Sequence, residues 1–269
     1  MKSVSRLRRK RARMRTKLFL GVPCYGTQEP EWWASLAAHT AVLGQQFDLT
    51  VVVASTMATD HNRNDITDKF LKSDAEWLFW IDADTIVPIG AVSRLMSLGK
   101  TLASGLYYGK NPPHNPIAYV KYNKAYIAIE KTQTWERGEI LPVDASGMGC
   151  LLTHRSVYED IQNNFKVLQR TGGGLLPVHK NDIEGSFAET HEHDGKVYKG
   201  QLRTRMVEPT IENYKYPFFG LEFGRTEDIW FFELASRVGH KVWLDTSLEC
   251  GHLRAKAFTG EDYRDLKGR

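Results

Sequence analysis

No stretch of 18 consecutive apolar residues occurs in the chain, so no segment reads as a membrane-spanning helix. Cysteine is scarce: Cys24, Cys150 and Cys250 are odd in number and widely spaced. They form neither a disulfide framework nor a CxxC metal site, which predicts a protein of the reducing cytoplasm. The basic N-terminus has no clean apolar segment before a small-residue cleavage site. "LFLGVPCYG" is too short, and too interrupted by Gly and Pro, for a signal peptide. Glycine does not gather into a phosphate loop either. The triplet at 172–174 lacks a strand before it and a helix after it, and reads as a flexible loop. Internal repeats are absent, and nothing in the sequence sets an oligomeric state.

What is present is the composition of a globular protein: 269 residues, 42% apolar, 25% charged and 11% aromatic, enough for a real core. The net charge of +4 conceals an asymmetry. Residues 1–17 hold nine Lys and Arg and no acid, which leaves 27 cations against 32 acids in the rest, a balance of −5. The expectation is a flexible basic arm, residues 1–16, on a mildly acidic body, residues 17–269. The cations of residues 2–17 suit nucleic acid, an anionic surface or an acidic partner, and equally a solvated tail.

Along the body, strand and helix patterns alternate. "KLFLGV" and "LTVVVAS" read as strands, "PEWWASLAAHTAVLGQQF" and "HNRNDITDKFLKSDAE" as helices. "WLFWIDAD" follows as a third strand, "IGAVSRLMSLGK" as a helix and "TLASGLYYG" as a fourth strand. Runs so continuously apolar predict an α/β fold, a mostly parallel sheet with helices on both faces. "KYNKAYIAIEK" and "GEILPVDASGMGCLLTH" add further strands. Residues 160–216 read as an irregular insertion, with "GKVYKGQLRTRMV" as a hairpin inside it. "EDIWFFELASRVG" is a helix capped by Thr226 and stopped at Gly239, before a last strand "KVWLD".

In such sheets ligands bind beyond the carboxyl ends of the strands. Three loops there carry chemistry: 23–27, 55–63 and 82–85. Asp82 and Asp84 end an apolar run, where unpartnered carboxylates are expensive. On a continuing strand both point to one side and suit a divalent cation such as Mg²⁺ or Mn²⁺; as loop residues they would cap the next helix. Glu227 and Asp228 open a helix, where acids favour its dipole, and either can serve as a general base. His252 in "LECGH" would bias an oxygen site toward Mn²⁺. His191 and His193 in "THEHDG" are a second possible metal pair or a solvated hairpin tip. Tyr107, Tyr108 and Trp135 are either sugar platforms or packing.

Taken in order, "GVPCYG", "RND" at 63–65, "WLFWIDADTIVP", "DASGMGC", "RTEDIWFFELASRVGHKVWLD" and "CGH" resemble the glycosyltransferases of the GT-A fold, in particular the family-2-like group. The resemblance covers about 17–110, 140–155 and 218–254, with 17–110 as the nucleotide-binding half and 111–269 as the acceptor half. It implies a Rossmann-like sheet and a metal-dependent transfer of a sugar from a nucleoside-diphosphate sugar, UDP-sugar favoured, to a hydroxyl. It implies that Asp84 binds Mn²⁺ or Mg²⁺, with Asp82 on metal or ribose and His252 on the same ion. It makes Asp228 the base, beside Glu227, in an inverting displacement. Pro23, Tyr25 and Arg63 would line the nucleotide pocket, and Gly147, Met148 and Gly149 a turn near the donor sugar. Asp60, in "ASTMATDHN", is the candidate for uracil recognition, although that loop departs from the family's acidic, Gly/Ser-rich turn. The acceptor stays open among hydroxymethylated DNA, protein, glycan and small molecules.

Two other classes compete. A nucleotidyltransferase making activated sugars also needs paired acids and Mg²⁺, but usually a basic glycine loop, and "GVPCYGTQEP" has neither Lys nor Arg. A non-catalytic nucleic-acid binder would rely on the basic arm, against an acidic body.

Overall fold

The computed structural model describes residues 15–254, apart from 27, 56–57, 124, 170–173, 183–187, 194–195, 202–204, 207–214 and 222–224. Most of the basic arm, two of the glycines at 172–174, the end of "THEHDG" and much of the 160–216 segment therefore lie outside the described residues. In chain order the strands are β1 (Lys17–Pro23), β2 (Asp48–Ala54), β3 (Trp77–Trp80), β4 (Thr85–Ile86), β5 (Leu102–Leu106), β6 (Ala118–Tyr122), β7 (Ala125–Ala128), β8 (Ile140–Val143) and β9 (Ala145–Ser146). There follow β10 (Leu151–His154), β11 (Phe165–Gln169), β12 (Leu175–His179), β13 (Ala188–His193), β14 (Lys196–Gln201), β15 (Arg205–Met206), β16 (Val242–Glu249) and β17 (Gly251–His252). The helices are α1 (Pro30–Gln46), α2 (Thr59–Lys72), α3 (Ala91–Ser97), α4 (Arg155–Asn164) and α5 (Glu227–Arg237).

Seven strands form the central sheet in the order β2-β1-β3-β10-β5-β16-β8. β2, β1, β3, β5 and β16 run one way, and β10 and β8 oppose them. The apolar runs are continuous because both faces are covered. Leu18, Leu20 and Val22 of β1 pack with Trp32, Leu36 and Leu43 of α1 and Val92 and Leu95 of α3. Phe19 packs the other way, with Ile66 and Phe70 of α2, Tyr158 of α4 and Phe231 of α5. This is a mixed α/β architecture of Rossmann-like layering, with a mostly parallel sheet between helices. Among the described residues, no helix is long and apolar enough to cross a membrane.

Three local expectations change. The third strand stops at Trp80, so Asp82 and Asp84 leave the sheet and lie on a turn, without the same-side alternation of a strand. The segment 196–206 is no hairpin of its own. β14 pairs with β13 before it, and β15 joins β11 beside β12, so part of the presumed irregular insertion is two small sheets. β10 enters the sheet antiparallel between β3 and β5, which alternation along the chain does not announce.

Helix α2 carries a site residue and is fastened at both ends. Asn64 Nδ2 donates to Phe219 O (2.8 Å) and Phe219 N donates back to Asn64 Oδ1 (3.0 Å), tying the helix to the approach to α5. At the other end Arg155 donates to the carbonyls of Phe70, Leu71, Ser73 and Ala75 at 2.8–3.1 Å and lies over the Phe70 ring. These carbonyls belong to the last turn of the helix and the residues just after it, where the helical ladder runs out of donors. Arg155→Ala should lower unfolding free energy by about 2 to 3 kcal/mol, since charged hydrogen bonds to half-buried acceptors are lost. Arg155→Lys should recover only part, because one ammonium cannot replace a planar fork. Urea denaturation of the three proteins checks this, and equal midpoints would refute it.

Candidate active site

The carboxyl ends of β1 and β3, the start of α2 and the start of α5 surround a cleft of about 460 Å³. Pro23, Tyr25, Arg63, Asp82, Asp84 and Glu227 line it together with Gln28, Glu29, Thr59, Lys110 and Arg254. Tyr25 stands at the rim, 80% exposed.

Arg63, one turn into α2, is almost wholly buried at 2% exposure. Its Nη2 donates to Asp82 Oδ1 (2.8 Å) and its Nε to Glu227 Oε1 (3.4 Å). Its guanidinium lies 5.5 Å from the centre of the Trp80 ring, and among the described residues Nη1 has no hydrogen-bond partner. Burial opposes the charge, but Asp82 and Glu227 outweigh it and Arg63 is held more firmly protonated than usual. Burial raises the Asp82 carboxyl, against the pull of Arg63 and with Asp84 adding to the rise. The Asp82 main-chain oxygen accepts from Trp32 Nε1 at 2.8 Å, which pins the turn to α1.

Asp84 and His252 meet because β4 pairs with β17, placing His252 opposite Thr85. Leu253 N donates to Asp84 O at 2.7 Å and locks that ribbon. His252 Nε2 is 3.6 Å from Asp84 Oδ1, and Lys110 is paired with Oδ2. Burial acts to raise the Asp84 carboxyl, but the contacts with His252 and Lys110 prevail and hold it at about 2. The other nitrogen of His252, Nδ1, is 2.8 Å from the Tyr108 carbonyl. A carbonyl only accepts, so Nδ1 carries a proton, and in the neutral ring Nε2 keeps its lone pair toward Asp84.

At the opening of α5, Thr226 occupies the N-cap but does not cap the helix as expected: its hydroxyl donates to Asp228 Oδ1 instead. Ile229 N donates to the same oxygen at 2.8 Å. Among the described residues no donor engages Asp228 Oδ2. Burial, then the neighbouring Glu227, raise the Asp228 carboxyl beyond what Thr226 and Ile229 offset. Glu227 faces the cleft with Arg63, whereas Asp228 lies near enough to Tyr107 and Tyr119 to add to the rise that burial causes in both phenols.

Other sequence candidates sit below the site. Gly147, Met148 and Gly149 are buried, with Met148 in the core. Their glycines answer to clearance: a Cβ at Gly147 would lie 1.7 Å from the Tyr107 hydroxyl, and one at Gly149 2.4 Å from Thr85 Oγ1 and 3.3 Å from Asp82 Oδ2. Tyr107 is buried at 3% exposure, with its hydroxyl accepting from Gly149 N (3.1 Å), and so is no open platform. Asp60 is 8% exposed, and among the described residues its Oδ1 has no partner. Lys110 and Arg254 were missed. The rule that ligands gather beyond the strand ends would have found Lys110, which follows β5. A second hollow of about 730 Å³ beyond His252 shares Lys110 and Arg254 with the cleft and adds Tyr108, His114 and Cys250. Among the described residues no group of three or more His, Cys, Asp or Glu is gathered to hold a metal ion.

No family model matches the chain, and no curated protein matches it. Among solved structures, the crystal structure of A197 from STIV is similar over 89% of this chain and 87% of that one, at 17% identity and a TM-score of 0.50. A structure described as a glucose-1-phosphate thymidylyltransferase from Bacillus anthracis in complex with sucrose matches 54% of this chain and 74% of that one, at 12% identity and a TM-score of 0.32. The first likeness concerns the fold alone; the second is too distant to support any argument.

The Asp84 pairing makes stability pH-dependent with a defined sign. Its carboxyl ionises at about 2 when folded against 3.8 ordinarily. The contribution is therefore complete above about pH 4 and lost as pH falls through about 2. Because both side chains are substantially exposed, at 33% and 42%, about 1 kcal/mol is expected after screening. Asp84→Asn should be less stable than the parent by that amount at pH 7, with the gap closing toward pH 2. Chemical denaturation across pH checks it, and a gap constant with pH would contradict the pairing.

Proposed function

We propose that the protein is a metal-dependent glycosyltransferase of the GT-A type, moving a sugar from a nucleoside-diphosphate sugar, UDP-sugar favoured, to a hydroxyl acceptor. The observation that carries the reading is the meeting of Asp84, which lines the cleft, with His252 of the adjoining hollow, beside Arg63 and Glu227 at the start of α5. An Asp oxygen and an imidazole lone pair 3.6 Å apart are near enough to share one ion, and the Tyr108 carbonyl fixes the histidine tautomer such a ligand needs. The donor set of carboxylate and imidazole suits Mn²⁺ or Mg²⁺, the imidazole favouring Mn²⁺. Asp82, engaged by Arg63, is a second-sphere partner or a contact for ribose. When bound, the ion supplies Lewis-acid relief of the charge that develops on the departing diphosphate.

The chain's own residues divide the rest. Arg63 offers a buried N–H without a partner to an anionic oxygen, and Lys110 and Arg254 add positive charge at the mouth. Asp228, anchored through Oδ1, presents Oδ2 to the acceptor hydroxyl. A carboxyl raised by burial is a better base near neutrality. The proton passes to Asp228 Oδ2, the acceptor oxygen bonds to the anomeric carbon, and the bond from that carbon to the phosphate oxygen breaks. The sugar is inverted and a nucleoside diphosphate departs.

Incubation with Mn²⁺, nucleotide sugars and candidate acceptors should release nucleoside diphosphate. Asp228→Asn should slow turnover by about 10²- to 10⁴-fold, with donor binding retained, and Glu227→Gln should act mainly on donor affinity through Arg63. No donor binding to the intact protein, with Asp84→Ala changing nothing, sinks the reading. Pyrophosphate release from a nucleoside triphosphate would transfer it to the nucleotidyltransferases.

A further inference from the structure

The Asp84 carboxylate already has a cation of its own. Lys110 pairs with Oδ2, while His252 faces Oδ1. The lysine springs from a loop whose base is fastened: Ile117 N donates to Tyr107 O (2.9 Å), Gly109 N to Asn115 O (2.8 Å), and Tyr108 bridges Pro116. Arg254 Nη1 donates to the Lys110 carbonyl at 3.3 Å, which holds the root from the other side. The side chain itself is 33% exposed and borders both the cleft and the second hollow. A fixed root with a solvated stem lets the ammonium choose between Asp84 and an anion in the cleft.

An ammonium on a carboxylate oxygen and a divalent cation on that carboxylate oppose one another, since like charges a few ångströms apart repel strongly where water is partly excluded. Resting on the glycosyltransferase reading, we propose that Lys110 is a counter-ion gate: it neutralises Asp84 in the resting cleft, moves onto the diphosphate when the donor enters, and so yields Asp84 to the metal. The metal is then bound weakly alone and firmly with the nucleotide. By linkage, each ligand strengthens the other by the same factor. The gate spares the resting protein a carboxylate without a counter-charge, and ties metal capture to the presence of donor. It makes Lys110 a positioning residue, one that acts through the ion and the diphosphate and leaves the acceptor untouched.

Titration of the full-length protein with Mn²⁺, followed by loss of the free-ion paramagnetic resonance signal, reads the gate without turnover. Lys110→Met keeps the stem and removes the charge, and should bind Mn²⁺ alone about tenfold more tightly than the parent, within the usual span of coupling between neighbouring sites. UDP should tighten Mn²⁺ binding by the parent and by Lys110→Arg, but by a much smaller factor in Lys110→Met. Unchanged Mn²⁺ affinity in Lys110→Met without nucleotide, or a UDP effect as large as the parent's, overturns the gate and leaves the glycosyltransferase reading standing. Absence of Mn²⁺ binding that depends on Asp84, with UDP or GDP or with neither, overturns both.

Discussion

The buried guanidinium of Arg63 is the constraint from which the site is built. Two of its nitrogens answer to carboxylates contributed by distant parts of the chain, Asp82 after β3 and Glu227 at the start of α5. A buried ion pair adds little net stability, because desolvation cancels most of its Coulomb gain, but losing one member strands the others and is costly. The arrangement is therefore better understood as a register pin than as glue. With Arg63 in place, the turn at 82–84 and the first turn of α5 have one mutual position, and the Asn64–Phe219 exchange next to it holds the same relation through neutral hydrogen bonds. The third nitrogen, buried and without a partner among the described residues, is what this arrangement leaves over. Such an orphan is costly unless something else completes it, and the cleft is the place where a completing group can sit.

The second device is covalently distant but geometrically short. A ribbon of two residues on each side, β4 with β17, carries the end of the described chain back to the turn that follows β3. It divides the two aspartates that one-letter spacing makes look equivalent. Asp82 is drawn inward to a guanidinium, and Asp84 faces the mouth between an imidazole and an ammonium. Their titration follows suit: burial raises the first, and the contacts with His252 and Lys110 depress the second. One motif thus supplies an acid paired inward and an acid paired at the mouth, and it does so because the strand ends two residues before the motif begins.

Much of the sheet was legible in the sequence because its strands are buried on both faces and therefore read as unbroken apolar runs. β1, β2, β3 and β5 announce themselves this way, and α1, α2 and α5 by helical spacing and helix-breaking neighbours. β10 lies within the stretch "GEILPVDASGMGCLLTH" that reads as strand, but its antiparallel direction was not legible, since direction in a sheet is decided by tertiary connection and leaves no local mark. The site residues divide on the same ground. Asp82, Asp84, Arg63 and Glu227 were legible as polar residues at strand and helix ends, and all four line one cleft. Gly147 and Gly149 looked like a ligand turn, yet their missing side chains serve the Tyr107 hydroxyl and Thr85. A glycine dictated by a neighbour's bulk and one dictated by a ligand have the same letter. Lys110 was overlooked because a lone lysine after "YYG" forms no motif, and only its place beyond the end of β5 pointed to it.

Charge around the cleft argues for what the pocket is able to hold. Arg63, Lys110 and Arg254 are set against Glu29, Asp82, Asp84 and Glu227, so the lining lies near electrical balance. A diphosphate entering such a space meets about as much repulsion as attraction, and its affinity depends on what joins it. Ordinary anion sites avoid the difficulty by concentrating cations or helix N-termini. Here Arg63 and Lys110 are already paired with carboxylates, and each such pair removes one positive charge from the ligand's reach. On the proposed reading a divalent ion would change the sum in a single step, because it would satisfy a carboxylate and a phosphate at once and release the Lys110 ammonium to the phosphate. The near-neutral lining, poor as a plain phosphate site, is well suited to a ligand that arrives with its own metal.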